Sequence, residues 1–116
     1  MIRQNYNIEK LELDAITHSI DKEYNIGYDT LSGTSRNWEV ARIRCYFILY
    51  AYNRGIQQQI IARYLKRAKS SMTNLIASLH LSFMRYKWVR KDYDHFKSAM
   101  DKSLTNKGIQ NANYSH

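Results

Sequence analysis

The chain of 116 residues has no proline, four glycines and one cysteine. With so little turn-forming chemistry available, helices joined by short connections are the expected architecture. A lone Cys45 cannot close an internal disulfide, and its place in an apolar run suits a buried thiol in a reducing compartment. No stretch approaches the roughly 18 consecutive apolar residues of a membrane-spanning helix, and the opening MIRQNYNIEK lacks the apolar core of a signal peptide. The expectation is a cytoplasmic protein with no membrane partner. One absence is local: from Val40 to Arg90 the chain carries ten Lys or Arg and not one Asp or Glu.

What is present sharpens that imbalance. The formal net charge is +8. Residues 1–34 hold three basic and six acidic side chains (net −3), residues 35–90 eleven and one (net +10), and residues 91–116 four and three (net +1). A merely solvated surface mixes signs, so a middle segment whose single acid is Glu39 points to an anionic partner, and nucleic acid is the commonest one for a small basic domain.

Length and a 44% hydrophobic content suit one domain with a modest core. The periodicity predicts an all-α, small single-domain bundle. A first helix is expected from about Ile8 to Glu23, with Leu13, Ile16 and Ile20 facing inward and Asn7 as its cap. Gly27 and Gly33 bracket a short turn or helix. Ser35 is placed to cap a third helix to about Asn53, apolar around most of its circumference, where Tyr46, Tyr50 and Tyr52 are read as core; Gly55 ends it. A last helix carries Tyr93, Phe96 and Met100. The domain is expected over residues 1–104, followed by a flexible polar tail over 105–116.

Within the basic stretch, RGIQQQIIARYLKRAKSSMTNLI has the spacing of a helix-turn-helix. Ile56, Ile60, Ile61 and Leu65 give the first helix, about 57–65, an inward face, and Ala62 permits a close crossing. Met72, Leu75, Ile76 and Leu79 do the same for the second, about 69–86. Ser70, Ser71, Thr73, Asn74 and Ser78 are left pointing outward, short hydrogen-bonding side chains suited to base edges and phosphates.

The order of these elements resembles the C-terminal DNA-binding domain of the bacterial replication initiator DnaA. The resemblance runs from IEKLELDAITHSIDKEYNI through YDTLSGTSR to the end of the second motif helix, over roughly residues 8 to 90. That family opens a long helix near a Ser-Arg pair, here Ser35 and Arg36, and carries an arginine before an aliphatic run, here Arg44 in ARIRCYFILYAY. Its recognition signature, Asp-His-Thr-Thr or Asp-His-Ser-Thr before an aliphatic residue, is replaced by Ala68, Lys69, Ser70, Ser71 and Met72, which leaves the target sequence open. Its Gly-rich turn is replaced by Lys66 and Arg67, so a non-glycine residue must take an unfavourable backbone conformation or the turn must differ. No phosphate-cradling loop ending in Gly-Lys-Ser/Thr is present, so the resemblance implies a free-standing DNA-binding module without the initiator's ATPase.

The expected contacts follow. Ser70, Ser71, Thr73 and Asn74 are candidates for bases or phosphates, and Arg67 and Lys69, at the helix entry, for phosphates. Arg44 is implied by the resemblance to reach DNA from the preceding helix. Arg36, Lys66 and Arg63, with Arg42 and Arg54, are further surface candidates; Gln57, Gln58 and Gln59 are either backbone contacts or polar filler, and Arg85, Lys87 and Arg90 extend the basic strip. The expected partner is double-stranded DNA, in replication or transcription control, with a homodimer or a protein partner left open. Ten tyrosines and two tryptophans keep single-stranded DNA or RNA binding, or packaging, as an alternative, with Phe83, Tyr86 and Trp88 the stacking candidates. A helical protein-interaction scaffold is the other alternative. Catalysis, a metal and a cofactor are not expected: four histidines are dispersed, and helical spacing sends Asp92 and Asp94 of KDYDHF to different faces.

Overall fold

The apolar periodicity is realised as six helices and no strand among residues 6–35 and 37–106, which the computed structural model describes. They are α1 Tyr6–Tyr24, α2 Tyr28–Leu31, α3 Trp38–Asn53, α4 Gln58–Leu65, α5 Lys69–Arg85 and α6 Lys87–Asn106. The near-continuous apolar run of α3 places it at the centre. It packs against each of the other five helices, and nine of its sixteen residues are buried, Ile43, Phe47 and Ile48 completely.

Two polar networks fix the outer helices to this axis. Tyr64 of α4 donates its hydroxyl to Asp14 of α1 (2.6 Å) and lies 3.0 Å from the Thr17 hydroxyl, while Tyr28 of α2 donates to the Tyr64 carbonyl (2.6 Å). On the opposite side, α6 is held by Tyr46 donating to Asp92 (2.7 Å), Tyr50 donating to Asp101 (2.5 Å) and the Arg42–Asp92 ion pair. Beneath them Phe96, fully buried, meets the rings of Tyr24, Tyr46, Tyr50 and Tyr93 at 5.6 to 6.1 Å. A hydrogen bond between the Ser19 and Ser103 hydroxyls (2.7 Å) ties the far end of α6 to α1.

Four boundaries and placements differ from the expectation. The first helix already includes Tyr6, so Asn7 lies inside it and is no cap. The cap of α3 is Asn37, whose side-chain oxygen accepts from the Glu39 and Val40 amides (2.9 and 3.2 Å); Ser35 accepts from the Asn37 amide instead. Tyr52, in the last turn of α3, is 40% exposed and no core residue. The helical backbone of α6 runs through Thr105 to Asn106, beyond the expected start of the tail, because Leu104 is buried and keeps the last turns docked; the expected tail from 107 on lies outside the described residues.

Candidate nucleic-acid interface

The segment read as a helix-turn-helix forms α4, a three-residue connection and α5, with the expected core: Ile56, Ile60, Ile61, Ala62, Leu65, Met72, Ile76 and Leu79 are all buried, and Leu75 is partly so. The missing glycine is resolved by Lys66, which adopts the left-handed conformation (φ 60°, ψ 44°). Its amide donates to Arg63 (3.2 Å) and the Arg67 amide to Ala62 (2.8 Å), closing α4 as a glycine would. That conformation costs an L-residue about 1–2 kcal/mol, part of which glycine would give back in chain entropy. Lys66→Gly is therefore expected to raise stability by about 1 kcal/mol in urea unfolding, while removing one surface cation. A loss of stability would show that the turn depends on the Lys66 side chain.

Past the turn, the outward face of α5 opens with Lys69, Ser70, Ser71, Thr73 and Asn74, all exposed, and Lys66 is exposed beside them. Neither α4 nor α5 contains an acid, and neither helix has a side-chain cap at its N-terminus, where Gln57 and Ala68 stand. The first amides of α5 therefore add their dipole to the charge of Lys69. Thr73 is partly committed: its hydroxyl donates to the Gln58 side chain (2.6 Å), bridging the two motif helices. Gln57, Gln58 and Gln59 line a shallow recess with Tyr52, Lys69 and Thr73. That recess brings Tyr52 beside Lys69 and Thr73 at the N-terminal end of α5, which its setting in an apolar helix gave no sign of.

The arginines divide differently from the expectation. Arg44 turns inward and is buried: its Nε donates to the Leu31 carbonyl (2.7 Å), and one terminal nitrogen lies 3.4 Å from the Thr30 and Gly33 carbonyls. Arg67 is half-buried and donates to the Gly33 (2.5 Å), Ser32 (3.3 Å) and Leu65 (3.0 Å) carbonyls. The two guanidinium groups thus converge on the carbonyl end of α2, which carries the negative pole of that turn. Burial first, and the nearby Arg67 charge second, pull the Arg44 pKa down from its ordinary value. Gly33 is required at this junction, since a Cβ there would stand 2.9 Å from the Asp29 carbonyl oxygen. Arg67 was expected to meet phosphate and Arg44, by the resemblance, to reach DNA from the preceding helix; the hydrogen bonds of both brace α2 and the turn that follows it.

Other candidates are also occupied. Arg63 stacks on Tyr6 at 3.8 Å. Arg42 pairs with Asp92 and lies over Trp38, and Arg54 is buried against Glu12, so neither presents a free charge. Arg36 lies outside the described residues. Of the ten cations between Val40 and Arg90, four (Arg42, Arg44, Arg54 and Arg67) are therefore engaged inside the protein, and Arg63 is exposed but stacked on Tyr6, leaving Lys66, Lys69, Arg85, Lys87 and Arg90 as the remaining surface cations. These last five fall at the two ends of α5.

Among the described residues no three His, Cys, Asp or Glu side chains come together to hold a metal ion, and no helix is long and apolar enough to cross a membrane. Comparison with protein-family models, curated proteins and solved structures finds no match to this chain. The fold and its surface thus define a class by geometry alone: a six-helix domain with a helix-turn-helix pair mounted on a central apolar helix.

Proposed function

We propose that this chain is a duplex DNA-binding domain in which the N-terminal half of α5 enters the major groove, serving replication or transcription control. The observation that carries this reading is the exposed, acid-free end of α5, where Lys66 and Lys69 precede Ser70, Ser71 and Asn74 on a helix packed against α3, α4 and α6. The resemblance to the DnaA C-terminal domain supports the same docking, with Ala68 and Lys69 in place of the family's base-reading pair, so the preferred site differs from that family's box. Arg44 and Arg67 act in this reading as positioning residues, holding α2 and residues 32–33 against α3 and the motif turn.

Selection of preferred sites from a random duplex pool tests it. Enrichment of one short motif is expected. On the selected site, Ser71→Ala and Asn74→Ala are each expected to reduce discrimination over random duplex by ~1–3 kcal/mol, whereas Lys69→Ala weakens all duplexes alike. Equal losses on every sequence for all three variants would show that α5 does not read bases.

A second reading, stacking on unpaired bases, is favoured by one observation. Trp38 and Trp88 stand with ring centroids 6.1 Å apart, 66% and 53% exposed. Of the other stacking candidates, Tyr86 is exposed, while Phe83 packs on Tyr93 at 5.3 Å.

A further inference from the structure

The surface of α5 changes chemistry along its length. On its outward stripe the polar Ser70, Thr73 and Asn74 give way to Ala77, Leu81 and Met84, at helical steps of four and three. Leu81 and Met84 are 66% and 81% exposed, and with Ser82, Arg85 and Tyr86 they line a shallow groove of about 400 Å³ at the corner where α5 meets α6. The core is already served by Met72, Ile76 and Leu79 on the other side of the helix, so folding gives no reason for apolar residues here. The only charged residue lining the groove is Arg85; Lys87, Arg90 and Lys91 follow it in sequence, all exposed, and no acid occurs from Ser70 to Lys91.

We propose that this groove docks an acidic, amphipathic segment of a second protein, whose apolar side chains fill the space over Leu81 and Met84 and whose carboxylates meet Arg85 and the cations that follow it. Charge complementarity selects this occupant. A second copy of the chain, meeting it by a two-fold axis, would set like charges face to face. Unpaired bases need ring faces, and the two most exposed hydrophobic residues of the groove, Leu81 and Met84, have none. Met84, unbranched and polarisable, suits a surface that adapts to a peptide. Leu81 lies ten residues beyond Ser71, about 15 Å along the helix axis, so the groove and the reading end of α5 can be occupied at once. The proposal goes beyond DNA binding and does not depend on it.

The test is panning of a displayed random-peptide library on the full chain, with removal of peptides that also bind a Leu81→Ser, Met84→Ser double variant. Both side chains are exposed, so the variant is expected to keep the thermal midpoint of the parent. Enriched peptides are expected to combine Asp or Glu with apolar residues three or four apart, and synthetic copies are expected to bind the variant about tenfold or more weakly. Duplex binding should be the same for both chains. Peptides without acidic enrichment, or peptides that bind both chains equally, would overturn the proposal. It would likewise be overturned if the double variant lost, in place of peptide capture, binding to oligothymidine or to phosphatidylserine vesicles, or self-association by sedimentation. Failure of duplex binding by both chains would count against the DNA reading alone.

Discussion

Replacing Arg54 by Ala is expected to remove about 3–5 kcal/mol of stability. Arg54 closes α3, is 4% exposed, and pairs with Glu12 of α1, itself only 11% exposed, while its guanidinium lies over the Tyr50 ring at 5.7 Å. Truncation takes from the Glu12 carboxylate the guanidinium it pairs with inside the protein, and the weaker compensation of that desolvated anion outweighs the lost packing. Urea unfolding at neutral pH measures the effect. The paired replacement Glu12→Leu with Arg54→Met should recover most of it, because both charges then leave the interior together. A loss below about 1 kcal/mol, the range of exposed pairs, would show that the pair is solvated in solution.

The second large effect is alkaline unfolding. Tyr46, Tyr50, Tyr64 and Tyr93 are 1 to 5% exposed, and burial above all pushes each hydroxyl above its ordinary range; the hydrogen bonds that Tyr46, Tyr50 and Tyr64 donate to Asp92, Asp101 and Asp14 act in the same direction. The unfolded chain releases these protons near pH ~10 while the folded chain retains them. Their contribution is therefore fully present below pH ~10 and is lost as pH rises above it, by about 1.4 kcal/mol per pH unit for each tyrosine. Four together fall at about 5 kcal/mol per unit, enough to consume the whole stability of a small domain within one or two units. Circular dichroism and tyrosinate absorbance, followed against pH, should show helix loss coinciding with the ionisation of a late-titrating group of tyrosines. Helices that persist while all ten tyrosines titrate together near pH ~10 would contradict this.

The helices and the motif were legible because hydrophobic periodicity is local. Leu13, Ile16 and Ile20, or Ile60, Ile61 and Leu65, announce their buried faces within two turns, and each is buried. The cap of α3 was misplaced by two residues because Ser35 and Asn37 are both good caps, and only the backbone path shows which one meets the Glu39 and Val40 amides. The partners of the arginines were not legible at all. Arg42 and Arg54 reach acids 50 and 42 residues away, and Arg44 and Arg67 reach carbonyls that only the packed fold gathers at Gly33. A basic stretch in sequence is thus a smaller basic surface in space. The candidate site keeps its serines, Asn74, Lys66 and Lys69, and gives up Arg44 and Arg67 to its support.

The central claim, that the exposed end of α5 binds duplex DNA, is tested most directly by titrating the full chain against one sequence as duplex, single strand and RNA over a salt series. Duplex is expected to bind tightest, with log K falling linearly against log salt at about 0.9 per phosphate neutralised, and Lys69→Ala is expected to reduce that slope by about 0.9. Salt-insensitive or absent duplex binding, or an unchanged slope in the variant, would contradict the account.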